Sequence, residues 1–235
     1  MFQPPQAYLA KLENKEVFNS KFTRLDFELE SPHEMQFQAG QYVSIQINDQ
    51  GERRSYSISS SPGIAHGFEI LLDVAPMGLG VTFLQNLKFG DQIKILGPLG
   101  RFGWDETDPT ITLIATGSGL GPLRSLVLDL LQEKKLSRPI ILYWGLRHAE
   151  DLIYQDEFQQ LSTAFPNFKF HPVLSQSPNE WSLCRGRVTD CLSIHDLMPN
   201  SGYYLCGNQT MIADVITVLT QRGVAAEKIH HEKFY

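Results

Sequence analysis

The segment 54–60, RSYSISS, brings together a cation, an aromatic ring and several hydroxyls. The planar guanidinium of Arg54 offers paired donors to a phosphate. Alternate residues of a strand lie on one face, so Arg54 and Tyr56 would point together, with Ser57 on the other side. This combination suits a flavin nucleotide, which has a pyrophosphate, a ribityl chain and a flat ring. The residues alone equally allow an edge strand with a surface arginine, a packed tyrosine and solvated serines.

A second segment with chemical potential is 116–122, TGSGLGP, which follows an apolar run. Its glycines have no side chains, so phosphates can approach the backbone. The N-terminus of a following helix would add partial positive charge. Pro122 stands where the third glycine of the usual dinucleotide fingerprint would be, and it suits the start of a helix. A simple tight turn is the alternative interpretation.

The cysteines and histidines give no metal pattern. The chain has three cysteines, Cys184, Cys191 and Cys206, an odd number without a CxxC pair. We therefore expect neither a disulfide framework nor a zinc or iron–sulfur site built from them. His230 and His231 would point to opposite faces of a strand, so no metal site is expected there. Any redox chemistry would then come from a bound organic cofactor.

Length and composition narrow the class of protein. The 235 residues are 42% hydrophobic and 20% charged, which suits one large domain or two compact ones. A net charge of −6 argues against general nucleic-acid binding. No apolar stretch approaches the roughly 18 residues of a membrane span. The N-terminus has no secretory signal pattern, so we expect a cytoplasmic protein.

The first hundred residues have the rhythm of β-strands. Apolar and polar residues alternate at 23–30 and 43–48, and further short runs follow at 68–74 and 92–96. Glycine, proline, asparagine and aspartate separate these runs. Several short strands at this spacing predict an antiparallel β-barrel.

The rhythm changes at residues 105–109, which we interpret as a linker between domains 1–104 and 105–235. Beyond it, apolar runs predict strands, and apolar residues at helical spacing predict helices. The predicted strands are 111–115, 140–144, 168–174 and 203–206, and the predicted helices lie around 123–131, 156–162 and 211–219. This alternation predicts a mostly parallel sheet that binds ligands at the carboxyl ends of its strands.

The motif Arg54-x-Tyr56-Ser57-x-x-Ser60 resembles the flavin motif of the ferredoxin–NADP reductase superfamily. Its neighbours agree in order: 39–42 (AGQY) resembles the strand before that motif, and 97–102 (GPLGRF) the turn after it. The resemblance extends from about residue 39 to 235. It implies an N-terminal antiparallel β-barrel that binds FAD, followed by a C-terminal α/β domain that binds NADH or NADPH.

On the flavin side, the resemblance implies that Tyr56 stacks on the isoalloxazine, Arg54 meets the pyrophosphate and Ser57 lies near the flavin N5. Glu232 would lie near the proton path. The further FAD contacts that it implies are Gly80, Val81, Thr82, Thr116 and Phe234, the last as a cover over the other flavin face. Many members of the superfamily have serine at the place of Val81, so here the hydroxyl is absent or comes from Thr82.

On the nicotinamide side, segment 116–122 resembles the superfamily's Gly-rich turn, and 145–152 its Gly-x-Arg…Asp-Leu stretch. Segment 206–211 resembles its Cys-Gly-x-x-x-Met motif, which implies that Cys206 lies at the hydride-transfer site with Ser57 and Glu232. The nucleotide contacts implied are Gly117, Gly119, Pro122, Arg147, Ser175, Arg187, Cys206 and Met211.

Cofactor choice depends on the pair Ser175-Gln176, where NADPH-selective relatives usually carry Ser-Arg. The missing cation removes a charge-assisted bond worth about 1.5–3 kcal/mol, which favours NADH or weak discrimination. Arg187 remains as a candidate phosphate contact.

The resemblance implies an FAD-dependent NAD(P)H oxidoreductase that passes electrons to a separate ferredoxin, flavodoxin or oxygenase component. The chain has no C-x4-C-x2-C segment, so we expect no ferredoxin domain of its own. One alternative is a flavin reductase that releases free reduced flavin, and another is a non-catalytic FAD-binding subunit of a larger complex. We expect a monomer without bound metal.

Overall fold

The computed structural model describes residues 4–75, 77–198 and 200–234, and residues 233 and 234 by their backbone only. The strands are β1 (Gln6–Val17), β2 (Phe22–Ser31), β3 (Tyr42–Gln46), β4 (Arg53–Ser57), β5 (Gly67–Asp73), β6 (Gln92–Leu99), β7 (Ile111–Thr116), β8 (Ile140–Leu146), β9 (Phe168–Leu174), β10 (Cys184–Arg185), β11 (Gly202–Asn208) and β12 (Ile229–Phe234). The α-helices are α1 (Leu79–Asn86), α2 (Leu120–Leu128), α3 (Gln155–Ala164), α4 (Val188–Ile194) and α5 (Gln209–Gln221). No helix in these described ranges is both long and apolar enough to cross a membrane.

The N-terminal strands form an antiparallel sheet of six, in the order β4-β3-β6-β1-β2-β5. A bridge between Ile58 and Ile70 joins the residue after β4 to β5, so the two edges of the sheet meet. In β2, Leu25, Phe27 and Leu29 are buried, as their alternation predicts. The predicted antiparallel barrel is confirmed. Sequence patterning missed β1, although its inward residues also alternate, because they include the small Ala10.

The C-terminal strands form a parallel sheet of six, in the order β10-β9-β8-β7-β11-β12. The chain starts at the central strand β7 and moves outward through β8 and β9 to β10. It then returns to the other side of β7 with β11 and β12. The predicted α/β fold with a parallel sheet is confirmed, and its switch point lies between β7 and β11.

The chain divides into two compact units. One contains the residues up to Gly103 together with Arg124–Lys134, and the other contains Trp104–Leu123 and the residues from Lys135 onward. Segment Arg124–Lys134 groups with the barrel through buried polar contacts. Arg124 donates to the Ser59 carbonyl at 2.8 Å and pairs with the carboxylate of Glu69 at 2.7 Å.

One cysteine prediction is wrong. Cys184 and Cys191 form a disulfide, with their Cα atoms 5.6 Å apart. Gly186 has a φ of +91°, and this left-handed turn leads the chain from β10 directly into α4. The absence of a CxxC pair therefore did not exclude a bridge, because the turn between strand and helix determines the distance between the two cysteines. Cys206 is a free, buried cysteine.

Candidate functional site

Strand β4 and the first turn of helix α1 meet at Gly80. A Cβ atom at this position would lie 2.3 Å from the Tyr56 hydroxyl oxygen and 2.9 Å from the Arg54 Cγ. Arg54 and Tyr56 therefore lie on the same side of β4, facing the backbone of α1. The missing side chain at Gly80 leaves room for the Tyr56 hydroxyl and the Arg54 stem to pack directly against the first turn of the helix.

Helix α1 begins with unbonded backbone donors beside that guanidinium. Gly78 is its N-cap and gives no side-chain cap, and the bond from the Thr82 N–H to the Gly78 carbonyl, at 2.9 Å, is the first in the helix. The N–H groups of the preceding residues therefore remain available to an anion at the positive end of the helix. Val81 packs partly against the barrel core, while Thr82 is exposed. The hydroxyl that Val81 lacks is thus present on the exposed neighbour.

Burial determines the protonation state of the Tyr56 phenol. Desolvation raises the pKa of Tyr56 to about 12, although nearby Arg54 opposes the shift. The phenol therefore stays neutral at physiological pH. Arg54 is 44% exposed, and its only charged partner among the described residues is Glu52, at 2.6 Å. An exposed ion pair of this kind contributes little, so a phosphate can compete for Arg54. Ser57 is half-buried at the end of β4, opposite Tyr42.

At the switch point of the parallel sheet, two turns pack backbone to backbone. A Cβ atom on Gly119 would lie 2.3 Å from the carbonyl oxygen of Cys206. A Cβ atom on Gly207, whose φ is +148°, would lie 2.4 Å from the Thr116 Oγ1. Only glycines fit here, and they let the two turns at the carboxyl ends of β7 and β11 approach each other closely. Gly117, also with positive φ, and the buried Pro122 belong to the same turn and the start of α2.

Cys206, which is buried, and Glu232, which is half-buried, are paired in register across β11 and β12. Burial, and secondarily the Glu232 charge, raise the pKa of the Cys206 thiol well above its usual value, so the thiol stays protonated. Burial likewise raises the pKa of the Glu232 carboxyl to about 7. The buried Oε2 of Glu232 has no hydrogen-bond partner among the described residues. This carboxyl can therefore bind and release a proton near neutral pH.

The other predicted nucleotide contacts follow the same edge of the sheet. The ends of β8 and β9 are joined by bonds from the Ser175 N–H to the Leu146 carbonyl, at 3.0 Å, and from the Gln176 N–H to the Arg147 carbonyl, at 2.8 Å. Arg147, Ser175 and Gln176 are exposed there. Arg187 is the N-cap residue of α4 and its side chain is 73% exposed.

Two predicted contacts differ in character from the rest. Met211 is buried in the core of the parallel unit, and its Cε would be 2.9 Å from a Cβ on Gly207. Any influence of Met211 on a ligand would therefore pass through the Gly207 turn. The predicted flavin cover, Phe234, has a backbone paired with Asn208 at the end of β12, but its side chain lies outside the described residues.

Sequence reasoning missed two residues that support the Gly-rich turn. The Trp144 Nε1 donates to the Gly117 carbonyl at 3.0 Å. Asn208 caps helix α5 through its side chain, which accepts from the Met211 N–H at 2.8 Å, and its Nδ2 lies 3.5 Å from the Thr116 Oγ1. The sequence did offer a signal for both residues. Trp144 directly precedes Gly145, and Asn208 directly follows Gly207, and both glycines belong to segments predicted to bind the nucleotide.

Two family models match the chain, and together they cover most of it. An oxidoreductase FAD-binding domain matches residues 9–104, and an oxidoreductase NAD-binding domain matches residues 113–217. The chain therefore contains an oxidoreductase FAD-binding domain followed by an oxidoreductase NAD-binding domain. The predicted binding of FAD and of a nicotinamide nucleotide is thereby confirmed at the level of these domains.

Curated relatives are about a third identical to the chain over the residues that align. The phenol hydroxylase P5 protein of Acinetobacter pittii is 33% identical over 85% of this chain and 58% of its own length. The toluate 1,2-dioxygenase electron transfer component of Pseudomonas putida is 29% identical over 97% of this chain and 67% of its own. The first of these relatives is thus considerably longer than the region that it shares with this chain.

Solved structures have the same fold over nearly the whole chain. The Amycolatopsis cytochrome P450 reductase GcoB matches with a TM-score of 0.88 and 28% identity, over 98% of this chain and 70% of that one. A ferredoxin NADP⁺ reductase from Neisseria gonorrhoeae, with bound FAD and NADP, matches with a TM-score of 0.81 and 22% identity over 98% and 99%. The second likeness concerns the fold alone.

We expect Gly80→Ala to weaken FAD binding, because the added methyl must displace the Tyr56 ring and the Arg54 stem. Overpacking of this kind costs about 1–3 kcal/mol, so the dissociation constant of FAD should rise by about 5-fold to 150-fold. Fluorescence titration of the FAD-free protein with FAD measures this change.

Gly78→Ala is the matched control, because a Cβ atom there meets nothing within 4 Å. It should bind FAD as the unchanged protein does. Equal affinities in the two variants would show that Gly80 does not shape the flavin site.

Glu232 should make stability depend on pH. Its folded pKa of about 7 lies above the ordinary value, so the neutral carboxyl stabilises the folded state. This contribution is complete below about pH 4.5, decreases as pH rises towards 7, and amounts to about 3 kcal/mol once lost. Glu232→Gln should therefore be more stable than the unchanged protein at pH 8 and similar at pH 4.5. Urea unfolding at the two pH values measures the difference.

The exposed Glu227 offers a matched control, and Glu227→Gln should leave the pH dependence of stability unchanged. If Glu232→Gln shows the same pH dependence as the unchanged protein, Glu232 does not titrate near neutrality.

Proposed function

We propose that the protein is an FAD-dependent NAD(P)H oxidoreductase that passes electrons to a separate acceptor protein. Residues 1–104 would form the FAD-binding domain and residues 105–235 the NAD(P)-binding domain. The observation that carries the proposal is the arrangement at Gly80, where Arg54 and a neutral Tyr56 ring pack against the first turn of α1, whose leading N–H groups have no partner within the helix. That arrangement offers separate partners to the diphosphate and to the ring of a flavin nucleotide.

The barrel residues bind and orient the flavin in this proposal. Arg54 and the N–H groups at Gly80, Val81 and Thr82 bind the pyrophosphate by charge and by helix polarity. Tyr56 stacks on the isoalloxazine. The hydroxyl of Ser57 serves as a donor near the flavin N5. Thr116 and Phe234 are the further flavin contacts, Phe234 as the cover.

The parallel sheet binds the nicotinamide nucleotide at its switch point. Gly117 and Gly119 let the diphosphate approach the backbone, and Pro122 starts the helix whose N-terminus faces it. Arg147, Ser175 and Arg187 bind the outer part of the nucleotide. Cys206 lies beside the nicotinamide, with Met211 supporting the turn at Gly207.

When bound, FAD supplies a ring that accepts a hydride from NAD(P)H and releases the electrons one or two at a time. The protein contributes mainly by holding the two reactants in position. The protonated thiol of Cys206 places a neutral, compact side chain beside the nicotinamide. Glu232, with its pKa of about 7, can hold or release a proton at its unbonded Oε2.

The proposed class of electron acceptor follows from the names of two relatives. Two are named as an electron transfer component and a reductase component of oxygenases, from Pseudomonas putida and a Pseudomonas species. An oxygenase component, a ferredoxin or a flavodoxin is therefore the proposed class of acceptor. We further propose that the protein acts as a monomer in the cytoplasm.

Purification followed by a visible spectrum tests this function. The protein should be yellow, and its flavin bands should bleach on anaerobic addition of NADH or NADPH and return when an oxidised ferredoxin is added. Gel filtration before the spectrum separates retained from free flavin.

A colourless protein that oxidises NADH only when FMN or FAD is added would instead identify a reductase of free flavin. A yellow protein that neither nucleotide bleaches would identify an FAD-binding subunit without reductase activity. Either result contradicts the proposed function.

Gln176→Arg should shift nucleotide preference towards NADPH. The new guanidinium would lie next to Ser175 at the carboxyl end of β9 and bind a 2′-phosphate. A charge-assisted bond of about 1.5–3 kcal/mol corresponds to at least about a tenfold gain in kcat/KM for NADPH. Gln159→Arg adds the same charge on exposed helix α3 and should change neither value. An unchanged preference in Gln176→Arg would place the 2′-phosphate elsewhere.

A further inference from the structure

Outside the proposed nucleotide site, the parallel unit contains a cluster of soft donors. The sulfur atoms of Cys184 and Cys191, which are joined in the disulfide, and one ring nitrogen of His195 lie within 4.8 Å of one another. Cys191 is fully buried, whereas Cys184 and His195 are half-buried. The cluster therefore has a protected inner donor and two donors that solvent can reach.

We propose that Cys184, Cys191 and His195 bind a thiophilic divalent cation, Zn²⁺ being the prime candidate, when their disulfide is reduced. The oxidised pair and the metal site are two states of one cluster. A water molecule would complete the tetrahedron in the metal-bound state. The inference is independent of the proposed oxidoreductase function.

The spacing of the donors suits such an ion. Zinc bonds of about 2.3 Å to sulfur and 2.0–2.1 Å to nitrogen in a tetrahedron separate neighbouring ligand atoms by about 3.6–3.8 Å. The Cys184 Sγ and the His195 Nε2 already lie 3.8 Å apart. Once the bridge is broken, the two sulfurs need to move apart to a similar distance, which side-chain rotation about Cα–Cβ can provide.

His195 is oriented as metal-ligating histidines usually are. Its other ring nitrogen, Nδ1, lies 2.9 Å from the Tyr143 hydroxyl oxygen. In the tautomer that donates from Nδ1 to this oxygen, Nε2 keeps its lone pair and faces Cys184. The ring of Tyr143 is 3% exposed and stacks on His171 at 4.9 Å. The hydroxyl that positions His195 is therefore itself held in place.

The backbone keeps the two thiols together without the bridge. Cys184 is in β10, which pairs with Val173 of β9, and Cys191 is in the first half of α4. The left-handed turn at Gly186 connects these elements, and the Asp190 carboxylate accepts from the Arg187 N–H at 2.7 Å. Reduction therefore leaves both sulfurs on the same short strand–turn–helix unit.

The chemistry balances with an external thiol as reductant. A dithiol transfers two electrons and two protons to the bridge, so the S–S bond breaks, two thiols form and the reductant becomes a disulfide. Binding of Zn²⁺ then replaces both thiol protons, which go to solvent, by two sulfur–metal bonds. A reducing compartment favours this state.

Metal binding by the full-length protein, as purified with any retained flavin, tests the proposal. After anaerobic reduction with dithiothreitol and removal of the reductant, the protein is titrated with Zn²⁺, and bound metal is counted after gel filtration. We expect one Zn²⁺ per chain in the reduced protein and none in the oxidised protein. Co²⁺ should give the thiolate charge-transfer and visible bands of a tetrahedral site.

Variants assign the ligands. Cys184→Ser and Cys191→Ser should each weaken Zn²⁺ binding by at least about 100-fold, and His195→Gln should do so with altered Co²⁺ bands. Tyr143→Phe keeps all three ligands and should weaken binding about tenfold. Cys206→Ser removes the third thiol and should bind Zn²⁺ normally.

Circular dichroism shows which variants are folded, and Tyr143→Phe provides a test that leaves the cysteines intact. A reduced, folded protein that binds no Zn²⁺ overturns the proposal, as does full affinity in Cys184→Ser or Cys191→Ser. Binding that is lost in Cys206→Ser but kept in His195→Gln overturns it as well.

Discussion

The backbone of Gly119 lies so close to the carbonyl of Cys206 that no side chain can stand between them. This contact joins the turn after β7 to the end of β11, on either side of the point where the strand order reverses. The Gly117 carbonyl is held from β8 by Trp144, so the turn is supported from both neighbouring strands. In a parallel sheet the carboxyl ends share one edge, and Arg147 and Ser175 reach the same edge for that reason.

The barrel also has a close backbone approach at a glycine, but there it lies between a strand and a helix. Its unbonded backbone donors belong to a short helix, α1, and a glycine again makes room, this time for Tyr56 and Arg54. In both units a glycine permits a close approach and a helix N-terminus provides polarity. The carboxyl ends of antiparallel strands do not share one edge. In the barrel the free backbone donors therefore come from helix α1, whereas in the parallel sheet the turns meet at the switch point.

Burial explains the electrostatics of the site residues better than charge pairing does. Tyr56, Cys206 and Glu232 are all held towards their neutral forms by desolvation, and only Tyr56 has a cation that opposes the shift. The parallel unit also contains the Cys184–Cys191 disulfide, which a reductant can open, next to His195. This cluster is remote in sequence from the Gly-rich turn.

The sequence by itself determined the fold class, the order of the two units and the position of the Gly-rich turn at 116–122. Alternation of period two and helical spacing are local signals, and they predicted most strands and helices close to their observed bounds. The sequence could not reveal that segment Arg124–Lys134 groups with the barrel, because Arg124 finds Glu69 and Ser59 only in three dimensions. It could not reveal the bridge between Cys184 and Cys191 either. That distance depends on the left-handed backbone at Gly186 and on the pairing of β10 with β9, which tertiary structure alone decides.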